Sequence, residues 1–343
     1  NIYLIERQSL KPSTRSRIAY VELLNSENRP VIQKRFLLQN GFGPGQVQLP
    51  DTLSTGIYTL RAYTNWMKNF LPYNCFIKDI NIYNALKPHK YEKKSSSDSS
   101  PTEENIVPEE STDKGIRILF SRDHEKGGLE INIKTNNNYT LINDDQFYLF
   151  IQTHGKIDRV SSERIIDNNT NIYVPEDILT PGINQITVFN SKGQPVCESY
   201  NYTPNRKSEV ISIAPAESYG TRTKIILEPE IENLPPETLS SAIFSVSVMP
   251  RYGTVSTLAF YDYLIFGTEY GLYKTDYLKL SDLSTEQTDA ILQNIRSNWI
   301  EWDKVLSDQI PDFKFPPEKK EHFLTGKLTN DELTTTPSSE TVL

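Results

Sequence analysis

Cysteine is nearly missing from this chain: Cys75 and Cys197 are the two in 343 residues. No disulfide framework can hold such a molecule together, and two thiols do not identify a redox compartment. By the repeat described below they fall in different modules, so they read as buried free thiols rather than one bridge within a module. No apolar run is long enough to span a bilayer, and no signal peptide is present. The chain opens on Asn1-Ile-Tyr-Leu-Ile, already strand-like, rather than on Met; the expectation is a processed or trimmed piece of something longer. A basic excess is also lacking. With 36 basic against 44 acidic residues, a net charge of -8 and a pI near 5.3, neither nucleic acid nor an anionic membrane is the expected main partner.

Motifs for chemistry are lacking too. His89, His124, His154 and His322 are scattered, with no His-Glu-x-x-His and no paired-cysteine spacing, so no metal site is expected. No Gly-x-Ser-x-Gly elbow offers a nucleophile, and Gly41-Phe-Gly-Pro-Gly cannot cradle a phosphate well because Pro44 has no amide donor. Asp144-Asp145 could serve a glycosidase only at a defined separation, which neighbours in a loop do not establish. The loops Asn143-Asp-Asp and Asp167-Asn-Asn-Thr-Asn lack the Asp-x-Asp-x-Asp-Gly calcium pattern and read as turns. No cofactor and no catalytic residue is expected.

What is there is a segment that nearly repeats. Val47-Gln-Leu-Pro-Asp-Thr-Leu-Ser-Thr-Gly-Ile-Tyr-Thr-Leu-Arg-Ala-Tyr-Thr64 and Ile172-Tyr-Val-Pro-Glu-Asp-Ile-Leu-Thr-Pro-Gly-Ile-Asn-Gln-Ile-Thr-Val-Phe189 both read as strand, Pro-acid turn, then a Gly-Ile step into an alternating strand. Pro50 and Gly56 answer to Pro175 and Gly182. With 19 Tyr, 14 Phe and closely spaced turn residues, the fold class is mostly β: tandem antiparallel sandwiches with a C-terminal amphipathic helix, which the resemblance given below makes macroglobulin- or immunoglobulin-like.

Residues 1–85 carry five strand-like runs and form a first sandwich. Residues 86–115, from Lys87-Pro-His-Lys to Ser-Ser-Pro-Thr-Glu-Glu, have little that is apolar and read as a disordered linker. Residues 116–205 form a second sandwich. Residues 206–275 form a third module from Val210-Ile-Ser-Ile, Thr223-Lys-Ile-Ile-Leu-Glu and Ala242-Ile-Phe-Ser-Val-Ser-Val-Met. Residues 276–325 hold a helix and an extended segment, and 326–343 a loose tail. Ser284 with Gln287 fits a capping box, and Ile291, Ile295, Trp299, Trp302 and Leu306 then recur at helical steps, predicting one helix up to Pro311.

The stretch Gly41 to Phe70, above all Tyr-Thr-Leu-Arg-Ala-Tyr-Thr-Asn-Trp-Met, resembles large exported Bacteroidetes proteins built from α2-macroglobulin-type domains. Asn171 to Tyr202 is similar to their second module, Trp299 to Phe315 to the Trp-x-x-Trp/Phe and Phe-Pro segment after the third. Phe323-Leu-Thr-Gly-Lys-Leu is similar to the opening of the carboxypeptidase-regulatory-like domain that often follows. Two departures stand out: little strand sequence precedes Ile18, so a partner or residues outside the chain would complete the first module, and the region between Tyr263 and Ile291 is short.

The resemblance implies export, association with the outer membrane, cell surface or periplasm, and a non-enzymatic interaction role, with a TonB-dependent-type β-barrel or a lipoprotein as the expected envelope partner. The covalent protease trap of macroglobulins needs Cys-Gly-x-Gln, whereas Cys75 is followed by Phe-Ile-Lys and Cys197 by Glu-Ser-Tyr. Asp51-Thr52-Leu53 matches the Bacteroidetes O-glycosylation motif, making Thr52 a candidate position, although the turn calls for these residues anyway. Trp66, Trp299 and Trp302 are the candidate partner or packing aromatics. A glycan-binding surface module is the alternative, motivated by the tyrosines.

Overall fold

A computed structural model describes residues 1–86, 115–123, 127–136, 145–205, 210–214, 218–235, 242, 260–271 and 283–320. The expected linker, His89, His124, His322, Asp144, most of Ala242–Met249 and the tail lie outside the described residues. Those that are described fall into two units. The first takes residues 1–86, 260–271 and 296–320; the second takes the described residues from 115 to 242 and 283–295.

In the second unit the sequence alternates apolar and polar residues, and the alternation builds a two-sheet sandwich. One sheet joins β7 (Ile116–Asp123), β8 (Gly128–Thr135) and β11 (Asn169–Pro175) in the order β11-β8-β7. The other joins β9 (Gln146–Thr153), β10 (Lys156–Arg164), β12 (Gly182–Asn190) and β13 (Pro195–Thr203) in the order β10-β9-β12-β13. Every pairing is antiparallel. Ile131 and Ile133 from one sheet meet Phe147, Leu149, Ile151 and Val188 from the other, all without exposed surface. Period-2 strands with one apolar face require such a partner.

The hairpin turns carry the residue types that positive φ demands. His154-Gly155 (φ 53 and 80) link β9 to β10, and Asp167-Asn168 (φ 51 and 61) form the tight turn between the bridged Ile166 and Asn169, within the four-residue passage from β10 to β11 in the other sheet. Both are two-residue turns with positive φ at each position, as type I′ requires. The Asp167 loop is therefore an ordinary turn in geometry.

The first unit contains β1 (Ile2–Tyr3), β2 (Ile18–Leu24), β3 (Pro30–Leu37), β4 (Phe42–Gly43), β5 (Gly56–Tyr63) and β6 (Phe76–Ile82), with a 3-10 turn, η1, at Trp66–Phe70. Its main sheet runs β3-β2-β5-β6, the order of β10-β9-β12-β13, and β1 pairs with β4 as β8 pairs with β11. The sequence repeat is thus a repeat of topology. β7 has no counterpart among the described residues of the first unit. The core of this sheet gathers Leu23, Leu53, Tyr58 and Ile82, with Ile32 and Ile80 against them.

The two glycines aligned by the repeat differ physically. Gly182 has φ +128, and a Cβ there would lie 2.4 Å from His154 Nε2; Gly56 has open space, its nearest neighbour being Tyr58 at 3.8 Å. Gly182→Ala is expected to cost about 2 kcal/mol, whereas Gly56→Ala is expected to stay within about 1 kcal/mol of wild type. Urea denaturation followed by far-UV circular dichroism checks both; equal effects would contradict the distinction.

Four elements differ from expectation. No strand forms at Val47–Leu49 ahead of the Pro50 turn, whereas its counterpart Ile172–Val174 lies in β11. The helix is shorter than the spacing predicts: α2 (Thr285–Gln293) has the Ser284/Gln287 capping box but ends at Asn294, whose amide turns back to the Ala290 carbonyl at 2.9 Å. Beyond it, Ser297 Oγ donates to Glu269 Oε1 at 2.7 Å and Asn298 N–H donates to the Glu269 carbonyl at 2.8 Å. These polar residues use their hydrogen bonds outside a helix, as their kind readily does. Helix resumes for one turn at α3 (Trp302–Val305).

The strand expected at Thr223–Glu228 does not form. Instead β14 (Val210–Ile213) pairs with β15 (Pro229–Glu232), and the four residues of β14 leave the 223–228 run without a ladder partner among the described residues. Finally, Phe260–Tyr270, which falls within the expected third β module, is a helix, α1, with a kink at Gly267. It buries Ile265 and Phe266. No helix among the described residues is long and apolar enough to cross a membrane.

Candidate functional site

The alternation of β2 sends Ala19, Val21 and Leu23 toward the core and leaves Tyr20 and Glu22 on the opposite face. Register then sets Tyr20 across from Tyr63, and Glu22 across from Arg61 on one side and Gln33 on the other. Glu22 is 5% exposed. Its Oε1 accepts from Gln33 Nε2 at 2.9 Å and from Tyr63 OH at 2.8 Å; its Oε2 accepts from Arg61 at 2.5 and 3.1 Å. Burial by itself pushes this carboxyl up, but the hydrogen bonds from Arg61, Gln33 and Tyr63, with the Arg61 charge, outweigh it and hold the group below its ordinary value. Burial first, then the hydrogen bond to Glu22, pushes the Tyr63 phenol up to about 12. Burial first, then Glu318, does the same to Tyr20. Cys75 is pushed up to about 11, chiefly by burial, so it stays a thiol at neutral pH.

Above this polar floor the cations are held over aromatic rings. Tyr20 and Tyr63 stack at 5.7 Å with 12° between planes. Lys68 Nζ stands 4.5 Å from the Tyr20 centroid and 5.6 Å from that of Phe315, and Arg35 stands 5.7 Å from Tyr20. Tyr20, Glu22, Gln33, Arg35, Tyr63 and Lys68, with Lys34, line a cavity of about 620 Å³.

An extended segment crosses the same face. Phe313 packs on Trp66 (4.8 Å) and Phe70 (5.5 Å). Asn69 Nδ2 donates to the Phe315 carbonyl at 2.8 Å while its Oδ1 accepts from the Phe315 N–H at 3.0 Å. Asn65 Nδ2 donates to the Pro316 carbonyl at 2.9 Å, and the Arg17 N–H donates to the Glu318 carbonyl at 2.7 Å. The Glu318 carboxylate accepts from Tyr20 OH at 2.8 Å.

Glu22 is occupied by four donor contacts, and burial pushes both phenols up to about 12. The face therefore presents fixed donors, charges and ring faces.

Of the residues expected from sequence, Trp66 belongs to this site. Trp299 is half-buried elsewhere in the first unit, donating through Nε1 to the Tyr73 carbonyl at 3.0 Å under the Arg7 guanidinium, 4.2 Å from the ring centroid. Burial lowers Arg7 to about 10, leaving it charged, and Glu269 pairs with it. Trp302 is half-buried at the start of α3. Thr52 is exposed in the turn after Pro50, where the Leu53 N–H donates to the Pro50 carbonyl at 3.0 Å. Sequence reading missed Glu22, Arg61, Tyr63, Asn69 and Glu318. A signal was present: Arg61 and Tyr63 lie two apart in the Tyr-x-Leu-Arg-Ala-Tyr run, as Tyr20 and Glu22 do in β2, and pairs at that spacing share a face.

No protein-family model matches the chain, and no curated protein matches it. Among solved structures, similarity is found to the Salmonella alpha-2-macroglobulin reacted with methylamine, at 10% identity and a TM-score of 0.20, over 58% of this chain and 13% of that one. The trypsin-activated alpha-2-macroglobulin of Escherichia coli gives 10% identity and 0.19 over 58% and 14%. The native conformation of the E. coli protein gives 10% and 0.19 over 60% and 13%. The chain thus spans about one seventh of the length of these neighbours.

Proposed function

We propose that the chain is a non-enzymatic structural and interaction protein of the bacterial envelope, in which tandem macroglobulin-like modules mediate protein–protein contacts in an outer-membrane or cell-surface assembly. The observation that carries this reading is the clasp at η1, where Asn65 and Asn69 hold an extended stretch of polypeptide mainly by its backbone. The motif resemblance supports export and a Bacteroidetes source, with a TonB-dependent-type β-barrel or a lipoprotein as partner. The test is a mild-detergent pull-down of the tagged full-length protein from its native envelope, followed by mass spectrometry. A stoichiometric β-barrel or lipoprotein is the expected result. Recovery of the protein alone would count against the reading.

A further inference from the structure

We propose that the cleft between η1 and β2 is a docking groove for an extended, proline-containing peptide with a carboxylate side chain just after its prolines, and that residues 313–318 of this chain fill it in cis. The proposal rests on the interaction-protein reading and supplies the chemistry of the partner.

Main-chain recognition is the first argument. Asn69 closes both hydrogen bonds of one peptide residue, as a neighbouring strand would, while Asn65 and the Arg17 N–H take two further carbonyls. Pro316 and Pro317 have no N–H, so the segment leaves no donor unmet at those positions. Extended proline segments over aromatic-lined grooves are a recurring recognition mode because little ordering entropy is lost on docking.

Shallow seating is the second. Phe313 and Phe315 remain 42% and 38% exposed against Trp66, Phe70 and Lys68. A core segment would bury such rings; a ligand on a surface leaves them half wet. Charge is the third. Glu318 sits on Tyr20 beside Arg35 and Lys68, neither of which pairs with a carboxylate among the described residues. In a chain of net charge -8 this local positive rim selects a carboxylate at the position of Glu318.

The test uses the full chain and a fluorescein-labelled peptide of residues 311–320, followed by fluorescence anisotropy. Phe313→Ala/Phe315→Ala should unseat the internal segment and bind the peptide at least about tenfold more tightly than wild type does. Adding Asn69→Ala should remove about tenfold, and a peptide with both prolines replaced by alanine should bind more weakly. Where the triple variant is unfolded by circular dichroism, Tyr20→Phe in the opened background replaces it, with a several-fold loss expected. A concentration-dependent wild-type dimer that Asn69→Ala dissolves would support the groove with a second copy's segment in it. No binding by the folded, opened variant, or binding indifferent to Asn69 and Tyr20, would overturn the proposal. An envelope partner that survives Asn69→Ala would overturn the groove alone and leave the interaction reading standing.

Discussion

Replacing Arg61 by alanine is expected to lower the stability of the first unit by about 3 kcal/mol, because it strips the main charge partner from a carboxylate that is almost fully buried. The low end of the range for broken buried pairs applies, since the Arg61 side chain is itself 27% exposed. Glu22→Leu combined with Arg61→Met should lose less than Arg61→Ala alone, because no stranded charge remains. The pH dependence gives a sharper discriminator. In wild type Glu22 titrates below its unfolded value, so its contribution is complete above the ordinary carboxylate range and is lost as pH falls through the lowered folded value. Without Arg61, burial dominates and the folded value rises. The variant should then regain stability on acidification through that raised value, opposite in sign to wild type. The readout is convenient: all three tryptophans, Trp66, Trp299 and Trp302, lie in the first unit, so tryptophan fluorescence during urea denaturation reports on it selectively. A loss of under 1 kcal/mol, or an acid response of the same sign in both proteins, would sink this account of the pair.

Most strands of both units were legible because alternation and turn residues announce them, Val47–Leu49 being the exception, and the Pro-acid turn and Gly-Ile step announced the repeat that recurs as strand order. The site was only half legible. Arg61 and Tyr63 stand in a conspicuous motif, but that they meet Glu22 is a matter of cross-strand register, which turn geometry and the buried face decide. The clasp on residues 313–318 joins positions some 250 apart in the chain, and nothing local to Asn69 advertises it. Where period misled, other forces won. The 3.6-residue pattern through Trp299 and Trp302 breaks because Ser297 and Asn298 bond to Glu269, and the apolar run Ile225-Ile-Leu has no ladder partner among the described residues.

Strand β12 shows how the same pattern can conceal opposite energetics at neighbouring positions. Asn184-Gln-Ile-Thr-Val-Phe reads as one dry and one wet face, yet all nine residues of β12 are buried. Asn184 can afford this: its Nδ2 donates to Thr153 Oγ1 at 2.7 Å and to the Thr180 carbonyl at 2.8 Å, and its Oδ1 accepts from Asn201 Nδ2 at 2.9 Å and Thr203 Oγ1 at 2.5 Å. Thr187, three residues on and equally buried, has a hydroxyl with no hydrogen-bond partner among the described residues. Asn184→Ala therefore strands several buried polar groups and should cost about 3 kcal/mol, whereas Thr187→Val removes one unmet group at nearly constant shape and should gain about 1 kcal/mol. Both changes lie in the second unit, which has no tryptophan. They should move the far-UV circular dichroism transition while leaving the tryptophan transition in place. If both probes move together, the two units unfold as one cooperative body. If Thr187→Val destabilises instead, the hydroxyl has a water or partner in solution, and the contrast along β12 is void.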